Sequence, residues 1–366
     1  MKSYFFMNRI GYLDGHRGIA IILVVLYHSY SRWTDYLPFA TEFAEITLFK
    51  YGFIGVNLFF IISGFVIFMT LERCHNFQEF IFKRWLRLFP AMLICSAFIY
   101  FTSSYFYERP LGQPSVLDLL PGLIFLEPKY LSLLTGEVFR SIEGTFWSLY
   151  VEFKFYVIAA TLYYILGSRY LVQALFLMFC LWFSLEITSV YISDSLLVLM
   201  LKITQSLSFQ YFGWFSAGAS FYLYTKGNNE KWFVFGVGIC ILSSLGISLE
   251  RNNLYVFFAA LLISVFFILT LRSEKLQLII SNKILLFFGA ISYPLYLLHE
   301  NMIISITIKL NNYYPSAASF FLPLISLLFV SILSLIVIKY LEFPIRNFLL
   351  FSGRKSVTLF KRSYSN

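Results

Sequence analysis

Long apolar stretches, separated by short polar or charged segments, run through the whole chain. A helix that crosses a bilayer needs about 20 mostly apolar residues. We expect about ten such helices, at 11–31, 52–71, 88–107, 145–166, 170–190, 196–224, 232–249, 254–271, 284–308 and 318–341. The sixth stretch has room for a re-entrant or tilted piece, and Pro294 is expected to kink the ninth. The pattern therefore predicts an all-α fold, a polytopic bundle of transmembrane helices.

Composition agrees with this prediction. The chain is 59% hydrophobic and 13% charged, and its mean hydropathy is +0.75. A typical soluble domain carries about 25% charged residues, roughly twice the share found here. A soluble fold of this size could not bury so much apolar surface. The formal net charge of +9 would suggest nucleic-acid binding in a soluble protein. In a membrane protein, basic residues instead set topology, and we expect no nucleic-acid partner.

The charged residues between the apolar stretches predict the orientation. Basic residues concentrate at every second loop and at both ends: Lys2, Arg9, Arg17, Arg73, Lys83, Arg84, Arg87, Arg272, Lys275, Lys283, Arg354, Lys355, Lys361 and Arg362. Acids and prolines concentrate in the long intervening loop 108–144. The positive-inside pattern therefore places both termini in the cytoplasm. We expect residues 1–350 to form one membrane domain and 351–366 a basic cytoplasmic tail, without an additional soluble domain.

The first apolar stretch carries three ionisable residues of interest, Asp14, Arg17 and His28. Such residues are costly in a bilayer unless they are paired or hydrated. On a helix, Asp14 and Arg17 are i, i+3 neighbours and can pair, and His28 lies ~21 Å further along the axis than Asp14. A membrane histidine can serve packing as well as chemistry, and the same two interpretations apply to His299, which follows Tyr296 in the ninth stretch.

Three other segments contain residues with a candidate chemical role. Ser63 lies among small residues in 55–65, where close helix packing is a more economical interpretation than a nucleophile. Arg84 and Arg87 are spaced to face one anionic ligand, although they also fit a topology signal that contacts lipid headgroups. Glu152 lies inside the fourth helix, five residues after Trp147, and a buried carboxylate needs a partner or a proton.

Taken in order, these strings resemble the acyltransferase family 3 membrane proteins, which O-acylate extracytoplasmic glycans such as lipopolysaccharide O-antigens. The matching segments are Leu13–Ala20 with His28, Gly55–Phe65, Arg84–Arg87 with Pro90, Trp147–Tyr156, Tyr293–His299, and Glu342, Pro344 and Arg346. Each string is weakly specific by itself, but the ordered set covers nearly the whole chain. Two positions depart from the family pattern: His16 replaces a usual Leu, and Lys83 stands where a second Arg is common.

The resemblance implies an acyl-CoA donor, with acetyl-CoA as the expected form, a glycan or glycolipid acceptor and no metal. It places the chain in the bacterial inner membrane, in contact with its lipids. His28 is then the candidate base and Glu152 the group that orients its ring. Arg17, Arg84 and Arg87 are candidates to hold the CoA phosphates. Supporting roles are expected for Asp14, Ser63, Trp147, Tyr296 and His299.

Two other classes of protein remain open at this point. A proton-coupled transporter or flippase also needs intramembrane His, Glu and Arg. A structural subunit could use the same residues only to join helices. The apolar context of Cys95, Cys180 and Cys240 indicates core positions, and the spacing of the cysteines, Cys74 included, predicts no disulfide framework.

Overall fold

A computed structural model describes residues 10–37, 40–192, 194–315 and 319–351. Secondary structure in these ranges is helical and contains no strand, which confirms the predicted all-α class. The α-helices are α1 (Gly11–Tyr27), α2 (Ala40–Phe43), α3 (Thr47–Lys50), α4 (Gly55–Leu71), α5 (Phe77–Thr102), α6 (Leu119–Ile124), α7 (Pro128–Thr135), α8 (Trp147–Leu166), α9 (Leu171–Tyr191), α10 (Ser195–Ser206), α11 (Phe212–Gly227), α12 (Glu230–Glu250), α13 (Leu254–Arg272), α14 (Glu274–Ile280), α15 (Lys283–Tyr313) and α16 (Phe321–Ile336).

Seven helices in the described ranges are long and apolar enough to cross a membrane. They become eight if the bent pair α14 and α15 is one span. The expected number of about ten was therefore approximate. The difference arises because α1 and α11 have only 17 and 16 residues, and because the expected segment 196–224 is divided. Ser208, with φ +66°, separates α10 from the 3₁₀ turn that leads into α11.

Two boundaries differ from the hydropathy pattern for local reasons. Helix α5 begins at Phe77 rather than near 88, since Asn76 accepts the backbone N–H of Glu79 while the Glu79 carboxylate accepts that of His75. Helix α15 continues through Pro294. The bend in this region, 65°, instead lies between α14 and α15, ahead of Lys283. Of the predicted basic tail, 351–366, residues 352–366 lie outside the described residues, as do the N-terminal Lys2 and Arg9.

One compact unit comprises the described parts of Met1–Arg32, Ala40–Ile81 and Ser148–Ser292. Within it, α4 and α11 approach so closely that a methyl group at Gly64 would lie 2.0 Å from the Phe215 carbonyl oxygen. Helices α1 and α4 run antiparallel, because Gly55 faces the carbonyl of Ala20 and Gly52 faces that of Leu23. These backbone contacts fix the register of α1 against α4.

The second unit comprises the described parts of Trp33–Phe39, Phe82–Trp147 and Tyr293–Asn366. It contains the long loop between α5 and α8, with the short helices α6 and α7. Asp118 is buried there and accepts hydrogen bonds from the Ser115 backbone and hydroxyl and from the Arg140 backbone. The Pro-rich loop is therefore organised by its own hydrogen bonds.

Candidate active site

His28 follows the last residue of α1 and opens a π-helical turn, His28–Arg32. Such turns occur frequently at functional sites. The imidazole is half-buried, and its Nδ1 lies 2.8 Å from the Val24 carbonyl oxygen. A carbonyl can only accept a hydrogen bond, so Nδ1 carries the proton in the neutral ring and Nε2 is the basic nitrogen. The backbone of α1 itself thus selects the tautomer that a general base requires.

Asp14 and Arg17 form the predicted ion pair near the start of α1, with 2.7 Å between Arg17 Nη1 and Asp14 Oδ1. The carboxylate is nearly buried and the guanidinium is 18% exposed. Pairing with Asp14 offsets part of the arginine charge.

Glu152 is held by two hydroxyl donors. Ser63 Oγ on α4 donates to Glu152 Oε1 over 2.7 Å, and Tyr156 on the next turn of α8 donates to the same oxygen over 2.5 Å. The ring of Phe80 packs edge-on against that of Tyr156. Lys154 is directed elsewhere, since its Nζ donates to the carbonyl of Ser206 at the end of α10, where a cation complements the helix dipole.

The structure does not bring Glu152 to His28. Gly55 and Ala20 face each other in the antiparallel pair α1 and α4. Ser63 and His28 each lie eight residues beyond this contact, in opposite directions. At 1.5 Å per residue the two levels are about 24 Å apart. Glu152, bonded to Ser63, therefore cannot orient the His28 ring, and the Val24 carbonyl takes that place.

Arg84 and Arg87 lie in the first turns of the long helix α5 rather than on a separate short helix. Arg84 is 5% exposed and buried, whereas Arg87 and the neighbouring Lys83 are exposed. One side chain is thus fixed within the protein and two extend from it.

Tyr296 and His299 lie on α15 beside the start of α8. The Tyr296 hydroxyl donates to the Thr145 carbonyl over 3.0 Å, and the buried His299 places Nδ1 2.9 Å from the Tyr296 carbonyl. Glu300 accepts the Thr145 backbone N–H over 2.7 Å, as a carboxylate at a helix N-terminus does. Trp147, 38% exposed, is the first residue of α8, so these α15 side chains define where that helix begins.

A second buried polar cluster was not predicted from the sequence. Arg109 donates to the Ile142 carbonyl and to Glu143 Oε1, and Asn301 donates to Glu143 Oε2 from its backbone and its side chain. Burial raises the pKa of the Glu143 carboxyl to about 8; the Arg109 charge opposes the rise and the Glu300 carboxylate adds to it. The only sequence signal was the position of these polar residues at the ends of apolar stretches.

The fold and these contacts define a class: a multi-pass membrane protein that holds histidine and carboxylate side chains at defined positions on its helices. A sequence model of the family described as "Acyltransferase domain" matches residues 10–341. The chain therefore belongs to this acyltransferase family.

Individual relatives share limited identity with the chain. The O-acetyl transferase of Shigella phage Sf6 is 26% identical over 156 residues, which cover 42% of this chain and 45% of the phage protein. The peptidoglycan O-acetyltransferase of Listeria monocytogenes is 27% identical over 157 residues, which cover 40% of this chain and 23% of that protein. The chain thus spans less than half the length of these relatives. No solved structure matches it.

Proposed function

We propose that this enzyme transfers an acetyl group from acetyl-CoA to a hydroxyl of an extracytoplasmic glycan, of the lipopolysaccharide O-antigen type. The match of the acyltransferase family to residues 10–341 carries this proposal, and the names of the phage and Listeria relatives support acetyl as the group. The enzyme would lie in the bacterial inner membrane, among its lipids, with both termini in the cytoplasm, as the distribution of basic residues indicates.

His28 is the proposed general base. Its Nε2 takes the proton from the acceptor hydroxyl as the oxygen attacks the thioester carbonyl carbon. The tetrahedral intermediate then collapses, the carbon–sulfur bond breaks, and the CoA thiolate leaves with the proton returned by His28. The hydrogen bond from Nδ1 to the Val24 carbonyl supports this role, because it keeps the proton off Nε2 in the resting ring and stabilises the imidazolium that forms.

The donor site would use cations on the cytoplasmic side. Arg17, paired with Asp14, and Arg84 with Arg87 are proposed to bind the CoA phosphates, since guanidinium groups suit such bidentate contacts. A long thioester arm would carry the acetyl group toward His28, because a phosphate cannot enter the apolar core at low cost.

The remaining candidate residues support these two sites. Trp147, Tyr296 and His299 belong to the contacts that set the start of α8. Ser63 and Glu152 are proposed to act on the donor side rather than at the base. Ser63, which donates to Glu152, lies at a level of α4 that is distant from His28.

Radiolabelled acetyl-CoA and candidate glycans, incubated with purified protein in detergent or nanodiscs, test the function. We expect a glycan ester whose formation requires His28. A proton-coupled carrier, the alternative class, would accumulate glycan in vesicles without forming an ester. Absence of ester with every glycan tested in the presence of the intact donor would refute the proposed transfer.

A further inference from the structure

The residue after the proposed base, Ser29, has a buried hydroxyl without a hydrogen-bond partner. Ser29 is 2% exposed, and its Oγ finds no donor or acceptor among the residues that the structure describes. Other helical hydroxyls of the chain, such as those of Thr70 and Ser264, donate to the carbonyl four residues earlier. For Ser29 that carbonyl belongs to Val25, which accepts the backbone N–H of His28. Because a buried hydroxyl that stays unpaired is destabilising, Ser29 is suited to donate to a ligand.

Contacts of the neighbouring residues hold this part of the chain in place. The ring of Tyr30 stacks on that of Phe49, with 4.5 Å between the ring centroids. The Ser31 hydroxyl donates to the carbonyl of Ala44 over 2.9 Å. Neither contact involves the Ser29 hydroxyl, which can turn among the staggered rotamers of its side chain. The backbone of the π-helical turn therefore positions a hydroxyl that has no structural contact of its own to maintain.

The ring of His28 and the hydroxyl of Ser29 leave neighbouring faces of the same turn. Consecutive residues of a helix are separated by about 80–100° around the axis and by about 1.5 Å or less along it. The two side chains therefore lie at nearly the same level. Consecutive side chains do not face each other, and Ser29 Oγ makes no hydrogen bond to the His28 ring. The histidine consequently does not activate Ser29 as a nucleophile, whereas a substrate group that lies against the turn can contact both.

Attack on a thioester creates a negative charge that needs a hydrogen-bond donor. In the proposed transfer the acceptor oxygen attacks the carbonyl carbon, and the former carbonyl oxygen becomes an oxyanion. Donors that stabilise such an oxyanion lie about 2.7–3.1 Å from it. His28 Nε2 is engaged with the proton of the acceptor hydroxyl, so the charge on the oxyanion requires another group.

We propose that the Ser29 hydroxyl donates a hydrogen bond to the thioester carbonyl oxygen and stabilises the oxyanion. The inference rests on the proposed acetyl transfer. Ser29 keeps its proton and forms no covalent bond. When the intermediate collapses, the electron pair of the oxyanion re-forms the carbonyl, the carbon–sulfur bond breaks, and the thiolate receives the proton from His28. Ser29 is thus a catalytic residue whose contribution grows as charge develops on the oxygen.

Ser29→Ala removes the hydrogen-bond donor and leaves the contacts of Tyr30 and Ser31 in place. We expect kcat with acetyl-CoA to fall about 10²- to 10³-fold, the range for loss of one oxyanion donor, with little change in KM for either substrate. Ser29→Cys, which keeps a weak S–H donor, should give an intermediate kcat. Ser31→Ala is the matched control, because it loses the hydrogen bond to the Ala44 carbonyl on the same turn, and it should keep kcat within about threefold. Wild-type kcat in Ser29→Ala, or an equal loss in Ser31→Ala, would overturn the proposal.

A second acetyl donor separates a direct contact from a structural role. Dithioacetyl-CoA has a thiocarbonyl in place of the carbonyl, and its sulfur is a weak hydrogen-bond acceptor. Ser29→Ala should therefore lose less than about threefold in kcat with this donor. An equal loss with both donors would indicate disturbed structure and contradict the proposal. Mass spectrometry of protein quenched after incubation with acetyl-CoA, without glycan, should find Ser29 unmodified; an acetyl group on Ser29 would identify a nucleophile and contradict the proposal as well.

Binding of unreactive analogues decides the case in which turnover is too slow to measure. Acetyl-carba(dethia)-CoA is a ketone that keeps the carbonyl and has CH₂ in place of sulfur, whereas S-ethyl-CoA has no carbonyl. By calorimetry, Ser29→Ala should weaken binding of the ketone about 2- to 10-fold, as expected for one neutral hydrogen bond, and leave binding of S-ethyl-CoA unchanged. Should Ser29→Ala not fold, Ser29→Cys serves in both measurements. Unchanged affinity for the ketone, or failure of the wild-type protein to bind it, would refute the inference. If the wild-type protein binds the ketone through Ser29 but forms no ester, the proposed transfer fails while this contact stands.

Discussion

Replacement of His28 tests the centre of the proposed mechanism. The ring takes its orientation from a carbonyl of its own helix, since Nδ1 lies 2.8 Å from the Val24 oxygen. Neither His28→Ala nor His28→Gln can present a basic nitrogen at the position of Nε2. Because the orienting contact is local to α1, we expect either variant to insert and fold like the parent protein.

The expected loss follows from what a general base contributes. Positioned proton transfer accounts for about 10²- to 10⁴-fold in rate, which corresponds to about 2.7–5.4 kcal/mol in the activation barrier. The loss should appear in kcat, with little change in KM for the donor, because His28 lies about 24 Å from the level of Ser63 and Glu152. A rise in KM alone would indicate a binding role.

The assay is initial-rate transfer of labelled acetyl to glycan by purified protein, with donor affinity measured separately by calorimetry. His75→Ala is the matched control, because His75 is exposed at the start of α5 and contributes only backbone to the contact with Glu79. The control should retain parental kcat. A His28→Ala variant that folds, binds donor and transfers acetyl within about threefold of the parental rate would refute the assignment of the base.

Four further substitutions test other parts of the protein. Arg84→Ala and Arg87→Ala should each weaken acetyl-CoA binding about tenfold or more and leave glycan binding unchanged. If calorimetry shows wild-type affinity for acetyl-CoA in both variants, the two arginines serve only to set the topology of the chain. His16→Leu should raise the free energy of unfolding in detergent by about 1–3 kcal/mol, because both ring nitrogens of this fully buried histidine lack a hydrogen-bond partner among the described residues; a lower stability would show that the imidazole has a necessary partner. Gly144→Ala should lower the unfolding midpoint, since a methyl group there would lie 2.8 Å from the Glu300 carboxylate that caps the 144–146 turn before α8. Gly238→Ala is the control and should leave the midpoint unchanged, because a methyl group there would have no atom within 4 Å. Equal effects of the two substitutions would contradict the capping role.

The relation between sequence and site is clearest at Glu152. The sequence around Glu152 predicted that this buried carboxylate needs a partner, but the partner it predicted was His28. Hydropathy periodicity places both residues on helices and leaves the offset between those helices undetermined. That offset depends on backbone contacts such as Gly55 with Ala20, which keep His28 distant from Ser63, the residue that donates a hydrogen bond to Glu152.

A similar limit applies to the second buried polar cluster, formed by Arg109, Glu143 and Asn301. These residues are separated by 34 and 158 positions along the chain, so no local pattern connects them. The pair of Asp14 and Arg17, in contrast, is three residues apart on one helix and was predicted correctly.

The sequence by itself determined that the chain is helical and crosses a membrane repeatedly, because apolar length and intrahelical hydrogen bonding are local requirements that each segment meets alone. It also determined contacts within one helical turn, such as the pair at the start of α1. Tertiary structure decided which helices face one another and at what register, since close packing of glycine against backbone depends on surfaces from distant segments. The partner of each intramembrane polar group follows from that register, so Glu152 meets Ser63 and the ring of His28 is oriented by the backbone of its own helix.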